Sequence, residues 1–192
     1  LLHIGSLPGP EGLGTVGAEA HAMLDWMASA GLRYWQLLPI CEGGPGESPY
    51  SSPASMVGNP WLIDLTDLHQ QGLLDDSQWA QALDDSDGPV DMNRVRTQKA
   101  PALRAAALAL LNQPDHPLHS SWVEWREAHS WIADAALFQV LRREQGDAPW
   151  WTWPVELRDR HESVLRDFRD QHAESIGVRE VLAYFFDHQW AR

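Results

Sequence analysis

Tyr34-Trp35-Gln36-Leu37-Leu38-Pro39 is the stretch on which the fold turns. It is short, mostly apolar and rich in aromatic rings, and Pro39 closes it, which is the pattern of a strand buried on both faces of a parallel sheet. Upstream, Leu1-Leu2-His3-Ile4 reads as a second short strand, and the Gly- and Pro-rich run from Gly5 to Gly17 follows neither regular period. Between the two, Ala20, Met23, Leu24 and Met27 fall at i, i+3, i+4 and i+7, so a helix is expected from Ala18 to Ala30 with Gly31 just past its end. Strand, helix and strand make one βαβ unit. Such units are right-handed and build parallel sheets or barrels, and in barrels the chemistry sits on the loops after the strands' C-terminal ends, here 5–17 and 40–59.

Beyond Asp64 the pattern changes to helices without intervening strands. Asp75 or Asp76 can cap a short helix through Leu83, and Asp84-Asp85-Ser86-Asp87-Gly88-Pro89 is an acidic, turn-rich break. A second helix is expected over 97–111, with Pro101 tolerated inside the first turn, where few N–H groups have helical partners. Ser121-Trp122-Val123-Glu124 fits a capping box and starts a third helix; Trp131 to Glu144 continues helical, and Gly146 stops it. Trp150-Trp151-Thr152-Trp153-Pro154 is a loop whose rings are expected to pin it onto neighbouring helices, followed by helices from Pro154 and over 161–174. Val178, Val181, Leu182 and Phe185 repeat the i, i+3, i+4, i+7 pattern on a last helix ending near Trp190. The expected architecture is α/β: the N-terminal portion of a parallel sheet or barrel in 1–66, a large helical insertion in 67–174, and a helix returning to that sheet or barrel in 175–192.

Length and charge narrow the function. The 192 residues fall short of the roughly 250 that a complete (β/α)8 barrel uses, and with a start at Leu1 the chain is expected to be part of a longer protein. A formal charge of −13 repels phosphate backbones and anionic lipid alike, so neither nucleic acid nor membrane is an expected partner. The longest apolar run, Ala105 to Leu111, is far below the roughly 18 residues of a candidate membrane span, and no charged segment followed by an apolar one opens the chain. Cys41 is alone, which fits a reducing, cytoplasmic compartment and a small buried apolar residue at a strand end.

Ser48-Pro49-Tyr50 is the sharpest candidate for chemistry, because Pro fixes the backbone just before an aromatic with a flat face and a hydroxyl, suited to stacking on a pyranose. The alternative is a turn whose Tyr packs on the domain. In Gly58-Asn59-Pro60 the three residues shape a turn without needing a ligand, and Asn59 is a candidate substrate contact beside that reading. Asp64, Glu42 and Glu47 are the carboxylates near this face; Asp64 is expected to cap a backbone turn, and Glu42 and Glu47 lie in a Gly-rich loop too mobile for catalytic geometry. His116-Pro117-Leu118-His119 lacks a carboxylate or thiol at ligand spacing, so no metal is expected. The absence of a Gly-x-Gly-x-x-Gly fingerprint, a P-loop, a nucleophile elbow and a His-Glu-x-x-His motif removes the commonest nucleotide, hydrolase and zinc readings, and no cofactor is expected.

Leu1-Leu2-His3 before Ser6-Leu7-Pro8-Gly9, then Leu13-Gly14, Ala30-Gly31, Trp35 to Pro39, Ser48-Pro49-Tyr50 and Gly58-Asn59-Pro60 occur in an order and spacing that resemble the amylomaltase or disproportionating-enzyme family of 4-α-glucanotransferases. Trp131 with Ala136-Leu137-Phe138, Trp150-x-x-Trp153-Pro154 with Leu157-Arg158, and Gln189-Trp190 extend the resemblance nearly to the end of the chain. It implies a (β/α)8 enzyme that moves α-1,4-glucan segments between maltooligosaccharides through a covalent glycosyl-enzyme. The catalytic Asp, Glu and second Asp of that family lie on later strands, so no catalytic residue is assigned here. Tyr50 is what the resemblance marks for substrate contact, beside Ser48 and Asn59 as candidates read from the residues, and the remainder of the same polypeptide is the implied partner. Two positions depart from the family: His3-Ile4-Gly5-Ser6 replaces His-Pro-Thr-Ser, and Pro45 stands where relatives carry a glucan-binding aromatic. A chain complete at Arg192 would instead be a non-catalytic glucan-binding or regulatory module, and a Trp-rich helical interaction domain is the third reading.

Overall fold

The computed structural model describes residues 1–44, 46, 48–84, 86 and 88–192. After a 3-10 turn at Ile4–Ser6 the chain forms α1 (Ala18–Ser29), α2 (Leu65–Gln70), α3 (Asp76–Gln81), α4 (Met92–Asn112), α5 (Pro117–Ala128), α6 (Ile132–Glu144), α7 (Val155–Arg158), α8 (Glu162–Gln171) and α9 (Ala173–Trp190). Further 3-10 turns span Pro49–Ser51, Pro60–Leu62 and Trp150–Thr152.

The two expected strands are not strands in the structure. Residues 1–3 and 34–38 lie side by side, joined by Leu2 N–H to the Gln36 carbonyl at 3.2 Å and by the Trp35 indole N–H to the Leu2 carbonyl at 2.8 Å. One main-chain bond makes no ladder, and the pairings among the described residues are the single bridges Glu11–Asp84 and Cys41–Gly58. Tyr34 is 91 % exposed, against the expected burial on both faces. The reason is physical: parallel pairing of so short a pair is marginal without flanking strands to extend the ladder and cover both faces.

The helices follow their sequence signals more closely. α1 ends as expected, with Gly31 at φ +73°, a conformation costly for any residue with a Cβ. Its Ala20 and Met27 are buried, while Leu24 is 49 % exposed. Asp75 and Gln78 form a reciprocal capping box on α3. α4 starts earlier than expected because Asp91 accepts from the Asn93 and Arg94 N–H groups at 2.9 and 3.3 Å. Pro101 is therefore in the helix interior and not in the first turn; it sits on the exposed face, where water can reach the carbonyl that it leaves unbonded. α5 likewise starts at Pro117 and not at Ser121, because the His116 ring accepts from Leu118 N–H at 3.1 Å and Pro117 suits a first helical position. The helix expected over 161–174 is cut at Gln171, and α9 begins at Ala173. Asp85 and Asp87 of the acidic break, with Pro45 and Glu47 of the loop 40–59, lie outside the described residues.

α9 is the centre of the molecule. Ile176, Val178 and everything from Glu180 to Phe186 are buried, so it is apolar nearly all round and takes α4, α5, α6 and α8 on different sides. α4 meets it with Ala102, Leu103, Ala106, Ala107 and Leu110. The main core gathers residues from Ile4 to Phe186, and a second core joins α6, α8 and Trp153. Where two or three rings are expected to pin the 150–153 loop, only Trp153 is buried, with its indole N–H on the Ala148 carbonyl at 2.8 Å; Trp150 and Trp151 are largely exposed.

Lys99, the chain's sole lysine, is wholly buried in this core. Its ammonium donates to the Glu11 carboxylate and to the carbonyls of Trp61 and Ile63, both at 2.8 Å. Glu11 in turn accepts from Leu65 N–H at 2.8 Å. The clasp ties the first loop, the Pro60–Leu62 turn, α2 and α4 together, and so fixes the base of the candidate site.

Candidate functional site

The loop 40–59 is closed at its base. Asn59 N–H donates to the Ile40 carbonyl at 2.8 Å beside the Cys41–Gly58 bridge, and a Cβ on Gly58 would stand 1.9 Å from Phe186 of α9. Only glycine allows that approach. Inside the loop the Ser48 carbonyl accepts from Gly44 N–H at 3.0 Å and from Ser51 N–H at 3.2 Å, and the Cys41 thiol, buried as expected, lies 3.6 Å from the Pro49 carbonyl. These bonds hold the Pro49–Ser51 turn at the rim and leave the Tyr50 ring 76 % exposed. Within this chain the Tyr50 ring does not pack on the domain.

Asn59 uses its side-chain oxygen to accept from Trp61 N–H at 3.1 Å, capping the Pro60–Leu62 turn, so its amide NH2 is what remains for a ligand. Asn59 and Pro49 line one cavity of about 280 Å³ together with His3, Ser6, Cys41 and Met92. Ser48 and Tyr50 flank this cavity through Pro49 and do not line it. Among the described residues no Asp or Glu lines it. His3 was not marked as a site residue by its sequence alone. Its ring accepts from Gly5 N–H at 3.0 Å, and burial, outweighing a bond to the Pro39 backbone, pushes its pKa below the usual value, which keeps the imidazole neutral at the cavity wall.

Asp64 does what its position suggested. It accepts from Asp67 N–H at 2.9 Å to cap α2, and from Thr15 Oγ at 3.4 Å. Gln189 of α9 brackets its backbone, accepting from Asp64 N–H at 2.8 Å and donating to the Asp64 carbonyl at 3.0 Å. An aspartate that caps a helix in this way serves as a structural joint between α2, the first loop and α9. His116 caps α5 and bonds the Gln71 carbonyl at 2.9 Å, a packing role.

The 4-alpha-glucanotransferase family model matches residues 2–192. The chain belongs to the 4-alpha-glucanotransferase family. It is 37 % identical to a 4-alpha-glucanotransferase of Thermus thermophilus, a match that covers 99 % of this chain and 37 % of that protein. With the chloroplastic/amyloplastic 4-alpha-glucanotransferase of Arabidopsis thaliana the identity is 32 %, covering 100 % of this chain and 33 % of that one. The chain thus spans little more than a third of the length of the curated relatives it matches. Its backbone superposes with a TM-score of 0.90 on amylomaltase from Streptococcus agalactiae, solved in complex with acarbose, at 29 % identity over 99 % of this chain and 38 % of that one. Among the described residues no helix of this glucanotransferase chain is long and apolar enough to cross a membrane.

Proposed function

We propose that this chain is the substrate-contacting N-terminal part of a cytoplasmic 4-α-glucanotransferase that moves α-1,4-glucan segments between maltooligosaccharides. The observation that carries the reading is the pairing of a family match over residues 2–192 with an exposed Tyr50 held at the rim of a cavity that contains Asn59. The Tyr50 ring offers a face to a pyranose and its hydroxyl a donor, while the Asn59 amide NH2 can donate to a sugar oxygen. Ser48 shapes the turn that presents the ring.

The transfer itself is a retaining double displacement within a (β/α)8 barrel completed by the rest of the polypeptide. A carboxylate attacks the anomeric carbon as an acid protonates the departing glycosidic oxygen; the acceptor's 4-hydroxyl, deprotonated by the same group, then displaces the carboxylate. Asp64 and Glu11 are engaged in structural hydrogen bonds, and among the described residues no carboxylate lines the loop cavity, so these groups are assigned to the rest of the polypeptide. The segment alone is expected to be inactive. The test is Tyr50→Ala in the full-length polypeptide, assayed for glucose release from maltotriose: kcat/KM falls roughly 10- to 100-fold if a stacked, hydrogen-bonded ring is lost. Unchanged kinetics would remove Tyr50 from the site.

A further inference from the structure

Away from the loop cavity, positive charge converges in one place. A second cavity, of about 680 Å³, lies among α4, α6, α9 and the Pro60–Leu62 turn, and among the described residues Arg96, Arg104, Arg143 and Arg179 line it against one carboxylate, Glu144. In a chain carrying only 14 basic residues against 27 acidic ones, four guanidiniums around one cavity are a strong local reversal of sign.

The four are not equivalent. Arg104 is paired with Glu174, and Arg96 lies over the Trp61 ring, 5.9 Å from its centroid. Among the described residues neither Arg143 nor Arg179 makes an ion pair or a side-chain hydrogen bond. Arg179 is half-buried, and desolvation pushes its pKa down; Glu42 and Asp147 pull it back up, while Arg143 and Arg142 push it further down. A guanidinium held in that setting without an acceptor is costly unless a ligand supplies one.

We propose that this cavity binds a phosphate monoester of a sugar, with the phosphate gripped by Arg143 and Arg179 and the sugar laid against Pro101, Val140 and Leu182. Two adjacent guanidinium forks match a dianion with several acceptor oxygens better than they match a single carboxylate. The cavity is far larger than bare phosphate requires, and beside the arginines its wall combines the apolar Pro101, Val140 and Leu182 with the hydroxyl-bearing Thr97 and Ser175, which suit the faces and hydroxyls of a sugar. The site shares no lining residue with the Asn59 cavity and does not rest on the substrate role assigned there.

The probe is glucose 6-phosphate, titrated calorimetrically into the full-length polypeptide beside glucose, inorganic phosphate and glucuronate. Glucose 6-phosphate is expected to bind saturably and to weaken as salt is raised, with inorganic phosphate and glucuronate weaker and glucose silent. Arg143→Gln and Arg179→Gln should each loosen binding by about tenfold, the scale of one lost charge-assisted hydrogen bond. Transfer between unphosphorylated maltooligosaccharides should stay unchanged in both. Arg143 is exposed, so its variant carries the test even if Arg179→Gln folds poorly. No saturable binding up to millimolar ligand, equal affinity for glucose or glucuronate, or an Arg143→Gln affinity equal to wild type would overturn the proposal, and equal affinity for inorganic phosphate would overturn its sugar component.

Discussion

Lys99→Met tests the clasp beneath the candidate site. Methionine keeps the length and apolar stem of the lysine but removes the ammonium that bonds Glu11, Trp61 and Ile63. Glu11, 1 % exposed, would then hold a carboxylate in the core with only the Leu65 N–H to stabilise it and the Asp64 charge nearby to oppose it. Breaking one side of a buried, hydrogen-bonded pair costs about 3–5 kcal/mol, a large part of an ordinary domain's stability. For a chain of this size that corresponds to a fall in Tm of about 6–20 °C.

The pH dependence sharpens the test. Burial holds the Glu11 carboxyl above its usual range even against the Lys99 charge and hydrogen bond, and loss of Lys99 removes the main influence pulling it down. A carboxyl whose folded pKa is raised stabilises the fold below its unfolded pKa, and that contribution is lost as pH rises through the folded pKa. The deficit of Lys99→Met should therefore be larger at pH 8 than at pH 5. Equilibrium urea unfolding, followed by tryptophan fluorescence at both pH values, reads this directly. The double variant Glu11→Gln with Lys99→Met should recover part of the loss, because Gln keeps an acceptor for Leu65 N–H without a charge. A loss under about 1 kcal/mol, or equal losses at pH 5 and pH 8, would refute a desolvated pair as the source of the stability.

Gly58→Ala drives a methyl into Phe186 and should cost at least about 1–3 kcal/mol in thermal or urea unfolding; a neutral result would mean that α9 and the loop separate freely. Asp67 is pushed up by burial but carried below the usual carboxylate range by the Arg192 and Gln189 hydrogen bonds, so its contribution is present above the unfolded pKa and lost as pH falls through the folded one. Arg192→Ala should accordingly lower stability at pH 7 and converge with the parent in acid titration below about pH 3. Asp91→Ala removes the α4 cap and should cost about 1 kcal/mol, with hydrogen exchange speeding first in 92–96. The isolated segment, given maltotriose, is expected to release no glucose, and release from a pure preparation would overturn the assignment of the chemistry to the rest of the polypeptide.

Much of the helical framework was legible because its causes are local. Gly31 and Gly146 end α1 and α6 at positive φ, the box of Asp75 and Gln78 starts α3, and the 3.6-residue spacing of Val178, Val181, Leu182 and Phe185 marks α9. The starts of α4 and α5 were misplaced because Asp91 and His116 are ordinary capping residues in stretches where Pro101 and the Ser121 box offered competing signals. The strands failed for another reason: an apolar run such as 34–38 can be written in the sequence, but a ladder needs a partner along its length.

The sequence by itself determined the family, through ordered motifs over nearly the whole chain, and marked Tyr50 and Asn59 on the loop that follows the 34–38 run. What only the tertiary structure decided are contacts between residues distant in the chain. Lys99 meets Glu11 across 88 positions, and Gln189 meets Asp64 across 125. The sole lysine and an isolated glutamate carry no pattern that foretells burial together, because the favourable energy appears only when α4 packs over the first loop. The cavity of arginines arises in the same way: its members lie on three helices, and their common direction is set by how α4, α6 and α9 cross.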